Sequence, residues 1–116
     1  MEDLVQKLRE FAKERDWDQF HSPKNLSMAL SVEVAEIAEH FQWLTQEQSK
    51  NLDPAKLAEL KDEIGDVLIY LIRLADKLGI DPINAALEKI EKNGKKYLVE
   101  KVKGKSLKYT EYKKIP

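Results

Sequence analysis

Apolar side chains in this chain recur every three and four residues and form no clear alternating run, the signature of amphipathic helices and not of strands. Leu4, Val5, Leu8, Phe11 and Ala12 predict a helix over residues 2–15, ending before a loop from Asp16 to Asn25 that holds Trp17, Phe20, His21 and Pro23. Leu30, Val34, Ile37, Ala38, Phe41 and Leu44 predict a second helix over 26–44. Asp53 followed by Pro54 reads as an N-cap with proline in the first turn, where the missing N–H would have no partner anyway. The third helix then runs to about Leu78 along Leu60, Ile64, Val67, Leu71 and Leu74, with Gly79 suited to the left-handed position after it. Asp81 and Pro82 open a fourth helix carrying Ile83, Ala86, Leu87 and Ile90, which Asn93 and Gly94 are expected to interrupt. The expectation is an all-α fold, a small four-helix bundle.

A length of 116 residues fits one domain, 1–116, with a basic segment from about residue 93. A core this small leaves much surface for its volume, which favours a homo-oligomer. With no cysteine there is neither a disulfide framework nor a thiolate metal site. No apolar run of about 18 residues and no basic-then-apolar N-terminus is present, so a soluble, cytoplasmic protein with no membrane partner is expected. Net charge is −1, but residues 1–88 carry 10 Lys/Arg against 18 Asp/Glu and residues 89–116 carry 10 against 3. An acidic body opposes a nucleic-acid backbone, and no aromatic-interleaved basic face is visible, so no nucleic-acid partner is expected. On charge alone a Lys-rich solvated tail is the better account of the basic end than an anion-binding segment.

The acids are not scattered. Glu33 and Glu36 lie beside the apolar stripe of the second helix, with His40 and Trp43 farther along the same edge. On the third helix Glu59, Glu63, Asp66 and Tyr70 follow at i, i+4, i+7 and i+11. Like charges one turn apart repel by about 0.2–0.5 kcal/mol per pair, and half-burying them adds desolvation. Two carboxylates on each of two helices suit hard divalent cations, which take oxygen ligands. Glu33, Glu36, Glu63 and Asp66 are the expected ligands. A di-iron site would need Glu-x-x-His, which does not occur, so Mg²⁺, or Mn²⁺, is the better match. Charged helices also produce such pairs as plain solvated surface.

Mg²⁺ commonly bridges carboxylates to substrate phosphates, and Lys92, Lys95 and Lys96 are placed to neutralise phosphate oxygens. Trp17, Phe20 and His21 in one loop, with Trp43 and Tyr70 on the acidic edges, suit a flat ligand such as a nucleobase. Stacking on an aromatic is worth about 1–3 kcal/mol per base. The bland reading is that the tryptophans cap the core.

These residues resemble the dCTP pyrophosphatase branch of the MazG-like all-α superfamily. The resemblance runs through Glu14-Arg-Asp-Trp-Asp-Gln-Phe-His21, Pro23 and Asn25, Glu33-Val-Ala-Glu36, Phe41-Gln-Trp43 and Glu63-Ile-Gly-Asp66-Val-Leu-Ile-Tyr70. It ends with Asn93, Lys96, Tyr97 and Lys108-Tyr-Thr110. It implies Mg²⁺ held by Glu33, Glu36, Glu63 and Asp66, and hydrolysis of a nucleoside triphosphate to monophosphate and pyrophosphate, with Glu33 or Glu36 orienting or deprotonating the water. It also implies a nucleoside site of Trp17, His21, Asn25, Trp43 and Tyr70, with Asn93, Lys96 and Tyr97 near the phosphates, and assembly as a dimer or dimer of dimers. Leu98 departs from the pattern, which usually has proline there. dCTP or a modified dCTP is the expected substrate, and clearance of unwanted nucleotides the expected role. The alternatives are the same chemistry on dUTP or another non-standard nucleotide, and a non-catalytic helical interaction module.

Overall fold

The computed structural model describes residues 1–104, except the side chains of Glu100 and Val102. Its helices are α1 (Glu2–Glu14), α2 (Pro23–Phe41), α3 (Gln46–Ser49), α4 (Pro54–Lys77), α5 (Pro82–Lys96) and α6 (Val99–Val102), with a 3-10 turn at Asp18–Phe20. Among the described residues there is no strand, and the fold is all-α as expected. The first four helices form one compact unit, Met1–Ile80, and a second begins at Asp81. No described helix is long and apolar enough to cross a membrane.

Side-chain caps account for most helix starts. Ser22 accepts from the Asn25 amide, so α2 begins at Pro23, earlier than the apolar stripe alone predicts. Asp53 accepts from the Lys56 amide at 2.8 Å, and Asp81 accepts from Ile83 and Asn84, as the Asp-Pro pairs predict. Thr45 and Gln48 form a reciprocal capping box around α3, a short helix that the apolar periodicity does not reveal. Asn93 and Gly94 do not interrupt α5, which continues to Lys96. One glycine costs a helix only about 1 kcal/mol relative to alanine, too little to end it.

Two helix ends share a left-handed exit. After α4, Gly79 (φ 67°) lets the Ile80 amide reach back to the Ala75 carbonyl at 2.8 Å. After α1 the same pattern uses Asp16 (φ 54°), and the Trp17 amide donates to the Ala12 carbonyl at 2.9 Å. Aspartate tolerates this region better than most side chains. The reversal brings the Trp17 ring edge-on to Phe11, centroids 5.7 Å apart.

α4 packs along α2 and α1. Ala12, Leu26, Leu60, Ile72 and Ala75 are buried, the full burial of a Leu or Ile being worth about 1.5–3 kcal/mol. This is narrower than the stripes predict. Val34 (49% exposed), Ile64 (57%) and Leu71 (41%) face outward. A long helix can turn only part of its apolar arc to one neighbour, and these positions lie on the remainder.

Candidate functional site

The α2–α4 seam gathers the carboxylates. Glu33 stands above the usual carboxylate range, first through burial, then through a hydrogen bond with Glu36 and the charges of Glu36, Asp66 and Glu63. Glu33 Oε2 is buried and has no hydrogen-bond partner. An orphaned buried oxygen amid like charges calls for a cation.

Glu63 has one neighbour already. His40 Nε2 lies 2.6 Å from Glu63 Oε2, a close contact that is not aligned as a hydrogen bond. The other ring nitrogen, Nδ1, is 3.0 Å from Lys56 Nζ and 3.8 Å from Glu59 Oε2. Glu59 thus stands at the outer end of this row of polar side chains.

Beside the carboxylates lies a cavity of about 240 Å³ lined by Leu8, Phe11 and Ala12 of α1, Trp17 and His21 of the connecting loop, and Asp66, Ile69, Tyr70 and Arg73 of α4. Its wall is mostly apolar, with Asp66 as the shared boundary to the acidic group. Asp66, Tyr70 and Arg73 follow at i, i+4 and i+7, which puts all three on one helical face.

Behind the cavity is an ion network. Arg73 Nη2 donates to Asp18 Oδ1 at 2.8 Å, and Arg73 Nε donates to His21 Nδ1 at 3.3 Å. Lys77 Nζ donates to the same Asp18 oxygen at 2.6 Å. Arg9 grips Asp76 with two bonds, from Nε to Oδ2 at 2.8 Å and from Nη2 to Oδ1 at 2.6 Å, tying α1 to α4. Lys77 and then Arg73 hold Asp18 below the usual carboxylate range, and Arg9 does so for Asp76.

A family model for the MazG-like family matches residues 28–112, the stretch that carries both carboxylate pairs. This chain belongs to the MazG-like family. The MazG-like chain is 42% identical to the dCTP pyrophosphatase 1 of Bos taurus over 113 residues, covering 96% of itself and 67% of that protein. It is 43% identical to the dCTP pyrophosphatase 1 of Homo sapiens, covering 66% of it, so it spans about two thirds of the length of these relatives. A solved pyrophosphatase from Archaeoglobus fulgidus superposes with a TM-score of 0.80 at 44% identity, over 84% of this chain and 92% of that one. With this membership comes the enzyme class: the MazG-like chain is a hydrolase, a nucleoside triphosphate pyrophosphatase.

The geometry sorts the residues singled out from its sequence. Glu33, Glu36, Glu63 and Asp66 come together, and Trp17, His21 and Tyr70 share the cavity with Asp66. Asn25 does not line it: its side-chain amide donates to the Phe20 carbonyl and shapes the loop. Trp43 lies beyond the end of α2, 87% exposed. Asn93, Lys96 and Tyr97 belong to the second unit, where Lys96 Nζ stands over the Tyr97 ring at 5.8 Å. Lys108-Tyr-Thr110 lies outside the described residues. Arg73, Asp18, Leu8, Phe11 and Ile69 were not singled out. The i, i+4, i+7 spacing from Asp66 was a signal for Arg73. Asp18 and Ile69 fall within the stretches that carry the family resemblance, whereas Leu8 and Phe11 are marked only by their place in the first apolar stripe.

Proposed function

We propose that this pyrophosphatase cleaves a deoxynucleoside triphosphate, with dCTP or a modified dCTP as the leading candidate, between the α and β phosphates. The products are the nucleoside monophosphate and pyrophosphate. One observation carries the reading: Asp66 belongs both to the carboxylate group on the α2–α4 seam and to the wall of the aromatic-lined cavity. A base held against Trp17, His21 and Tyr70 would therefore place its phosphates beside the acids. The human and bovine relatives are dCTP pyrophosphatases by name, which supports the choice of substrate.

Four carboxylates beside three phosphates need a counter-charge, and the donor set fits a hard divalent ion, Mg²⁺ or Mn²⁺. The orphaned Glu33 Oε2 and the repulsion that raises Glu33 are what such an ion would relieve. Among the described residues no three His, Asp or Glu side chains already stand as a coordination shell; Glu33, Glu36, Glu63 and Asp66 are the residues that would hold the ion. When bound, the ion supplies positive charge to the phosphate oxygens and makes water a better nucleophile.

The rest falls to the chain itself. Glu33 or Glu36 takes the proton from the attacking water, whose oxygen bonds to phosphorus as the bridging P–O bond breaks and pyrophosphate leaves. The apolar wall of Leu8, Phe11 and Ile69 excludes water from the base. No protein nucleophile is required. The outward-facing Val34, Ile64 and Leu71 support the reading that the enzyme works as a homodimer or homotetramer.

The test is release of pyrophosphate and monophosphate from dCTP and a panel of other nucleoside triphosphates with Mg²⁺ or Mn²⁺, comparing wild type with Glu63→Gln. Cleavage of dCTP by wild type alone is expected. A wild type that spares dCTP and cleaves another nucleotide overturns the substrate, and a fully active Glu63→Gln overturns the assigned carboxylate.

A further inference from the structure

Among the described residues, Arg73 is the one polar or charged side chain that is fully buried, at 3% exposure. Burying a charge costs several kcal/mol unless it is well paired. Two carboxylates do part of this: Asp18 Oδ1 at 2.8 Å from Nη2 and Asp76 Oδ2 at 3.8 Å from Nη1. The remaining direction is turned on a neutral ring. Both Nε and Nη2 lie 3.3 Å from His21 Nδ1, and His21 lines the cavity.

A guanidinium has donors and no acceptor, so Nδ1 must receive with its lone pair. An imidazole with a bare Nδ1 is neutral and carries its proton on Nε2. The group that would otherwise draw a proton onto Nδ1 is Asp18, and its Oδ1 is occupied by Arg73 and Lys77. The charged groups around the ring are Asp18 from its own loop and Arg73 and Lys77 from α4. α1 presents Leu8, Phe11 and Ala12 to the shared cavity. Burial and then Arg73 push the imidazole below its ordinary value, which agrees with a neutral ring.

We propose that Arg73 is a positioning residue that locks His21 in the Nε2–H tautomer, so that His21 serves as a fixed hydrogen-bond donor to the edge of the bound base. The site then favours a base presenting a carbonyl oxygen or unprotonated ring nitrogen at that edge. It disfavours one presenting an amino group there, because two donors would meet. This deepens the reading of the cavity as the base pocket and rests on it.

Two measurements test it. Long-range ¹H–¹⁵N correlation on the intact, ligand-free protein is expected to show His21 protonated on Nε2 and bare on Nδ1 at neutral pH, and a tautomer mixture in Arg73→Lys. A wild-type ring protonated on Nδ1 overturns the proposal. Steady-state kinetics with dCTP are expected to show KM raised about 10-fold in Arg73→Lys and His21→Leu, with kcat changed less than about two-fold, as for a lost ground-state hydrogen bond. His21→Gln, whose amide can place an N–H near the Nε2 position, is expected to recover most of the loss. Equal impairment in His21→Gln and His21→Leu overturns the donor role, and those two variants decide it even where Arg73→Lys fails to fold. A wild type that cleaves no nucleoside triphosphate brings down the proposed function and the donor role together, whereas a wrong tautomer in an active enzyme overturns this inference alone.

Discussion

His40 Nε2 and Glu63 Oε2 meet at 2.6 Å across the seam between α2 and α4. The histidine stands against one oxygen of an expected metal-binding carboxylate and has Lys56 on its other nitrogen. A neighbour that orients such a carboxylate typically contributes 10–100-fold in metal affinity. For His40→Gln, the Mg²⁺ concentration for half-maximal activity is expected to rise by about 10-fold, while kcat at saturating Mg²⁺ falls far less. A metal titration of activity checks this, and an unchanged titration curve would assign the pair to structure alone.

Glu33 gives the opposite sign for stability and for activity. Its carboxyl is raised in the fold, so the ionised form is disfavoured there relative to the unfolded chain, and the charge works against folding at pH values above its folded pKa. Glu33→Gln keeps the shape and removes the charge. Its melting temperature in EDTA at neutral pH is expected to rise, by on the order of a few °C. Pyrophosphatase activity should fall by about 100-fold or more. A differential scanning measurement beside the activity assay tests both, and a variant that melts lower than wild type sinks the argument.

Acid should weaken the fold in two windows. His21 is held below its ordinary 6.5, first by burial, and Asp76 and Asp18 below their ordinary 3.8 by Arg9 and by Lys77 with Arg73. All three bind protons more weakly folded than unfolded, so acidification favours the unfolded chain. The His21 contribution is full above 6.5 and is lost as pH falls through the lower folded value. The aspartate contributions are full above 3.8 and are lost below it. Urea midpoints measured from about pH 7 to about pH 3 should decline across both windows, and Asp76→Asn should flatten the lower one. A lower limb with the wild-type slope in Asp76→Asn would remove the Arg9 pair from the account.

Leu26 and Ile64 separate the core from the outward apolar face. Leu26 is buried, and Leu26→Ala is expected to cost about 2–5 kcal/mol in denaturant unfolding. Ile64 is 57% exposed, so Ile64→Asp should leave the protomer's helical content intact by circular dichroism while shifting the species in analytical ultracentrifugation towards monomer. A wild type that sediments as a monomer at micromolar concentration would end the proposal of a homo-oligomer.

The helices, most of their starts and the carboxylate pairs were legible in the chain because each depends on residues within about four positions. Asp53-Pro54 and Asp81-Pro82 cap their helices, and Glu-x-x-Glu and Glu-x-x-Asp fall on one face at any helical period. The reading failed where local rules were weak or silent: Asn93-Gly94 lacks the energy to stop α5, and α3 is held by a polar capping box that leaves no apolar trace. What the tertiary structure alone decided is which distant groups meet. His21 and Arg73 are 52 residues apart, and Arg73 could equally have been a solvated arginine on a charged helix. Likewise, Leu60 and Ile64 stand one turn apart in the same stripe, yet one is buried and the other faces out. Periodicity says which side of a helix is apolar, but only the packing of α4 against α2 and α1 sets how much of that side is covered.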